Sequence, residues 1–259
     1  MVIIIQNGVN EEAVVGAIEF AASGINEEKY YYCEDFDDEA AAVTLEAGLH
    51  TDEWAPGGLN DTAADVTYIQ DQCGVIELKS RGANDDSTEI TKLNTAINIA
   101  SNPIIEFRVS VDAITAALTG FFVGITETSD IQSINDIVGV SDDFYVIGMN
   151  SDLGTPANLR AFSEDDNGGM VTNNLGVAIA ATTWCTIRMD FTDTEQPRVW
   201  INNTGGTITP SDEIAAATIT GTVQDAIYVY PVIFVQGLDA TPTQRTLLLD
   251  YIKIWMDRS

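Results

Sequence analysis

Pro103-Ile104-Ile105-Glu106-Phe107-Arg108-Val109-Ser110-Val111-Asp112 decides the fold. Ile105, Phe107, Val109 and Val111 fall on one side of an extended chain, and Glu106, Arg108, Ser110 and Asp112 on the other, because successive side chains of a strand point to opposite faces. The same two-residue period recurs over 183–191, where Cys185, Ile187, Met189 and Phe191 oppose Trp184, Arg188 and Asp190. Val199 and Ile201 alternate with Arg198, Trp200 and Asn202. Further strands are expected near 74–79, 120–126, 143–149, 158–163, 226–235 and 246–256, separated by turn-rich stretches such as Asp165–Gly169 and Asn202–Gly206. Many half-buried strands with polar connections describe an all-β, two-sheet sandwich.

Residues 1–28 read differently. Val2–Ile5 is expected as a short strand closed by Asn7-Gly8, and Asn10 as the cap of a helix with Glu11 and Glu12 in its first turn. Val14, Val15 and Ile18, with Ala21 or Ala22, line one face of that helix, and Ser23-Gly24 ends it. An arm at 1–28 therefore precedes a sandwich domain at 29–259. Its apolar face packs either on its own domain or on a neighbouring subunit, which makes Val14, Val15 and Ile18 candidate subunit or capsid contacts.

Charge narrows the partners. Forty Asp and Glu oppose 11 Lys and Arg, a net charge of −29, which repels nucleic acid and anionic membrane surfaces. With 45% apolar residues the chain still has ample material for a core. No stretch reaches the roughly 18 apolar residues of a membrane helix. The start, Met1–Gly8, lacks the basic segment and long apolar run of a secretory signal. Cys33, Cys73 and Cys185 are odd in number and far apart, and read as buried thiols.

The order of strand texts resembles the concanavalin A-like jelly roll of lectins and glucanases. The matching pieces are Cys33–Asp38, Pro103–Asp112, Gly120–Thr128, Thr183–Phe191, Arg198–Asn203 and Leu247–Trp255, which cover residues from about 30 to 257. Within that superfold, Gly120–Thr128, Thr183–Arg188 and Leu249–Ile252 are similar to phage virion proteins, head decoration (cement) proteins among them. The resemblance implies a non-enzymatic viral structural protein on the capsid surface, made in the host cytoplasm. It would be a homotrimer bound across capsomers of the major capsid protein.

Other chemistries were weighed on their residues. Laminarinase-type glycosidases on this fold carry Glu-x-Asp-x-x-Glu on one strand, and no such string occurs. Glu106, with Arg108 and Asp112 beside it, reads as surface ion pairing. A single His50 leaves nothing for a Ser–His or Cys–His arrangement, so no catalytic residue is assigned and no enzyme is expected. No cofactor is called for; Asp165, Asp166 and Asn167 beside Gly168 are candidate calcium ligands, as are Asp85-Asp86 and Asp142-Asp143, against the plainer reading of solvated acidic loops. Trp184, Trp200 and Trp255 are candidates for a ring-stacking platform, and they carry the alternative function: a lectin-like module for surface glycans.

Overall fold

Strict alternation over 104–112 places one row of side chains inward, and the fold is two sheets closed over that row. The structure, a computed structural model, describes residues 3–6, 9–12, 29–34, 54–57, 66–69, 74–80, 86–92, 96–114, 119–127, 143–150, 158–164, 169–223, 227–238 and 244–257. With strands numbered in chain order, the first sheet runs β15 (Arg198–Asn202), β14 (Cys185–Asp190), β9 (Ile104–Val111), β17 (Thr246–Asp257), β3 (Lys29–Glu34), β1 (Ile3–Gln6), β2 (Val9–Glu12). At one end of β17 it also holds β6 (Val75–Lys79), which pairs with β5 (Val66–Ile69). The second sheet runs β13 (Val171–Ala178), β12 (Asn158–Glu164), β11 (Phe144–Asn150), β10 (Thr119–Thr126), β16 (Tyr228–Gly237), β7 (Ser87–Lys92), β4 (Trp54–Gly57). The short β8 (Ile97–Asn98) pairs with the start of β16. The chain is an all-β jelly-roll sandwich, and its strand pairs are antiparallel except β1 with β3.

The core lies between the sheets. Ile105, Phe107, Val109 and Val111 of β9 meet Phe121, Val123 and Ile125 of β10, with Ile187 and Met189 from β14 and Ile252 and Ile254 from β17. Each such side chain, fully buried, contributes about 1.5–3 kcal/mol of transfer free energy. Cys185 belongs to this core, and burial pushes its thiol up to about 12. The second sheet also buries its outer face. Phe122, Phe144, Val146, Phe162, Val232 and Phe234 are each at most 1% exposed, and the rings of Phe122 and Phe234 stack 4.4 Å apart. Strands buried on both faces need no alternation, so Phe144–Met149 reads as one apolar run.

The expected helix does not begin at Asn10. Val9–Glu12 forms β2, paired to β1 in the register Ile3↔Glu12 to Gln6↔Val9, which leaves two residues, Asn7 and Gly8, between the strands. Asn-Gly is the strongest two-residue hairpin signal, and it outweighs the helix cap offered by Asn10. β1 in turn joins β3, so this part of the arm is an extension of the first sheet. Val14, Val15 and Ile18 lie outside the described residues.

Candidate functional site

The outward row of β9 is polar, and register decides what it meets. Across the first sheet one row runs Trp200, Arg188, Glu106, Lys253, and the next runs Asn202, Thr186, Arg108, Tyr251. Between Leu249 and Tyr251 the register of β17 slips by one residue. That irregularity frees Asp250 from the ladder, and its carboxylate pairs with the Arg108 guanidinium.

Glu106 is not the surface residue expected, and Arg108 and Asp112 are not its partners. It is 3% exposed, and its Oε2 accepts from Arg188 Nε at 2.8 Å, while Arg188 Nη2 lies 2.5 Å away. Its Oε1 accepts from the Tyr251 hydroxyl at 2.9 Å. Both carboxylate oxygens are thus engaged by donors from other strands. Burial, then the Glu106 charge, push the Tyr251 phenol above its usual range.

The three tryptophans share this outer face, and each has a guanidinium over its ring. Arg108 lies 4.7 Å from the Trp184 centroid, Arg188 5.3 Å from Trp255, and Arg198 4.6 Å from Trp200. Trp255 is 2% exposed and Trp200 9%, so neither presents a bare face for stacking. Trp184 is half-buried, at the start of β14. Beside it the turn after β15 folds back. Asn202 Oδ1 accepts from the backbone N–H groups of Thr204 (3.1 Å) and Gly206 (3.3 Å). Gly205, at φ +68°, then offers its carbonyl to Arg108 Nε at 3.0 Å. A Cβ on Gly205 would fall 2.3 Å from the Trp184 Cβ, so only glycine lets the turn seat there.

The half-buried part of the face is therefore Trp184, Arg108, Asp250, Tyr251, Lys253 and Asn202. It offers two rings, each with a cation over one face, together with a guanidinium, a carboxylate and an amide, the mixture that hydroxyl-rich ligands use. The amide and ion-pair partners were invisible in sequence because they meet only through register, 82 residues apart for Glu106 and Arg188. Among the described residues no group of three or more His, Cys, Asp or Glu is placed to hold a metal ion. Asp165, Asp166, Asn167, Asp85, Asp142 and His50 lie outside the described residues, while Asp86 and Asp143 are buried at strand starts.

No protein-family model matches the chain, and no curated protein sequence does. Solved structures do. A protein of unknown function from Shewanella oneidensis MR-1 aligns at TM-score 0.58 and 13% identity over 95% of both chains. A glycoside hydrolase family 16 enzyme from Bacteroides ovatus, in complex with a mixed-linkage glucan product, aligns at 0.56 and 12% over 86% of this chain and 98% of its own. The Emp46p carbohydrate recognition domain aligns at 0.54 and 12% over 85% and 94%. These likenesses are of fold.

They correct one expectation. That no enzyme is expected rests on the missing Glu-x-Asp-x-x-Glu string and on the scarcity of histidine. Several of the neighbours, including a β-1,3-glucanase from Mycobacterium marinum, are glycoside hydrolases on this architecture. Such chemistry runs on paired carboxylates and needs no histidine. The exclusion does not hold.

Proposed function

We propose that this chain binds carbohydrate, through the outer face of the first sheet around Trp184 and Arg108. The observation that carries the reading is the half-buried strip in which Trp184, Arg108, Asp250, Tyr251 and Asn202 come together on one sheet face. Support comes also from the fold neighbours, which include a carbohydrate recognition domain and enzymes of glucan metabolism. Aromatic rings flanked by paired ionic groups fit a sugar's apolar C–H face and its ring of hydroxyls.

The charges on this face are matched: Arg108 with Asp250, Arg188 with Glu106, Arg198 with Glu213 and Lys79 with Glu77. A face so balanced, on a molecule of charge −29, favours a neutral glycan over an acidic one. Isothermal titration with neutral mixed-linkage β-glucan oligosaccharides tests this. Binding by the native protein, weakened about tenfold in Trp184→Ala, is the expected result; about 1.4 kcal/mol is the scale of one aromatic contact. Absence of binding to neutral glycans, or full retention in Trp184→Ala, would overturn the site. Release of reducing ends in the same samples distinguishes recognition alone from cleavage.

A further inference from the structure

The second sheet carries an aromatic strip of a different kind. Even-numbered residues of β16 face outward, opposite Val229, Ile233 and Val235 in the core. Along that line exposure falls from 59% at Tyr228, through the half-buried Tyr230, to 0% at Val232 and Phe234. The buried outer cluster of Phe122, Phe234 and their neighbours thus reaches the surface at two tyrosines. Tyr228 is one of two large apolar side chains found exposed among the described residues, the other being Val171.

Strand geometry puts the two rings about 7 Å apart on one face. Asn98 stands directly across the ladder from Tyr228, so its side chain shares that face. Its Oδ1 accepts from the Ala100 backbone at 2.9 Å, which leaves the Nδ2 hydrogens for another acceptor. Trp184, Trp200 and Trp255 of the first sheet lie under guanidinium groups, whereas among the described residues no cation is stacked on the rings of Tyr228 and Tyr230. Positive charge is also scarce here: the half-buried Arg160 shares the face with the buried carboxylates of Glu89 and Glu164.

We propose that Tyr228, Tyr230 and Asn98 form a second glycan-binding site, which takes successive sugar residues of a neutral chain on its paired rings. The inference rests on the carbohydrate-binding reading for its ligand class, and on the β16 strip for its position. The two sites lie on the outer faces of opposite sheets, so one molecule binds two glycan chains.

Titration calorimetry with a neutral mixed-linkage β-glucan hexasaccharide tests it on the full chain. The expected stoichiometry is two per native protein, one in Trp184→Ala and one in Tyr228→Ala/Tyr230→Ala. Restoring rings in Tyr228→Phe/Tyr230→Phe returns the second equivalent. A circular dichroism melt checks that the alanine pair remains folded. The inference falls if the alanine pair still binds two equivalents, or if Trp184→Ala abolishes all binding. In the latter case the first site stands alone and the carbohydrate reading survives. If the native protein binds no hexasaccharide, both fall together.

Discussion

Glu106 illustrates how one residue's role depends on partners far away in sequence. Its carboxylate and the Arg188 guanidinium are almost fully buried, with side-chain exposures of 4% and 7%. Glu106→Ala would strand Arg188 without its partner, at a cost of about 3–5 kcal/mol. Chemical denaturation should register that loss, whereas Glu213→Ala, at the exposed Arg198 pair, should change stability by less than about 1 kcal/mol. Glu164 presents the opposite case. Its Oε2 is buried with no hydrogen-bond partner, and the residue is 7% exposed. Neither role was legible in the sequence. Alternation showed that Glu106 points away from the core, but nearest neighbours in sequence suggested Arg108 and Asp112. The true partners are set by the registers of β9 with β14 and β17.

Among the elements, β10 and β11 approach most closely where glycines face one another's strands. A Cβ on Gly148 would fall 1.9 Å from the Phe121 carbonyl oxygen and 2.6 Å from the Phe122 Cα. Gly148→Ala should therefore prevent the pair from closing, seen as loss of soluble folded protein. Phe234→Ala removes one ring of the stacked pair in the outer cluster and should cost about 3–5 kcal/mol in a denaturant titration. Strands whose apolar residues fall on one face, such as β14 and β9 from Ile105 onward, could be read from their period. β13 could not: Val171-Thr-Asn-Asn-Leu-Gly-Val-Ala178 is an edge strand in which Leu175 alone is fully buried. The amino-terminal hairpin was misread because Asn7-Gly8 and Asn10 give competing local signals, and pairing to β3 decides between them.

For the whole molecule, ionisation and assembly give two measurable consequences. Burial raises Cys185 from 9.0 to about 12 and moves Tyr145 and Tyr251 upward as well. Above pH 9 the unfolded chain therefore releases protons that the folded chain retains. Stability should fall with rising pH between about 9 and 12, by about 1.4 kcal/mol per unit for each such group, and equilibrium unfolding across that range checks the sign. The expected homotrimer makes its own demand: light scattering should give a trimer, and a monomer at working concentration would remove that expectation. Finally, β17 lies between β9 and β3 and also pairs with β6. Three partner strands, drawn from residues 29 to 111, wait on residues 246–257. During synthesis, then, β15-β14-β9, β3-β1-β2 and β5-β6 cannot be joined into one sheet until that stretch has cleared the ribosome. Until then the nascent chain carries its central ladder incomplete, the interval in which a chaperone would find it.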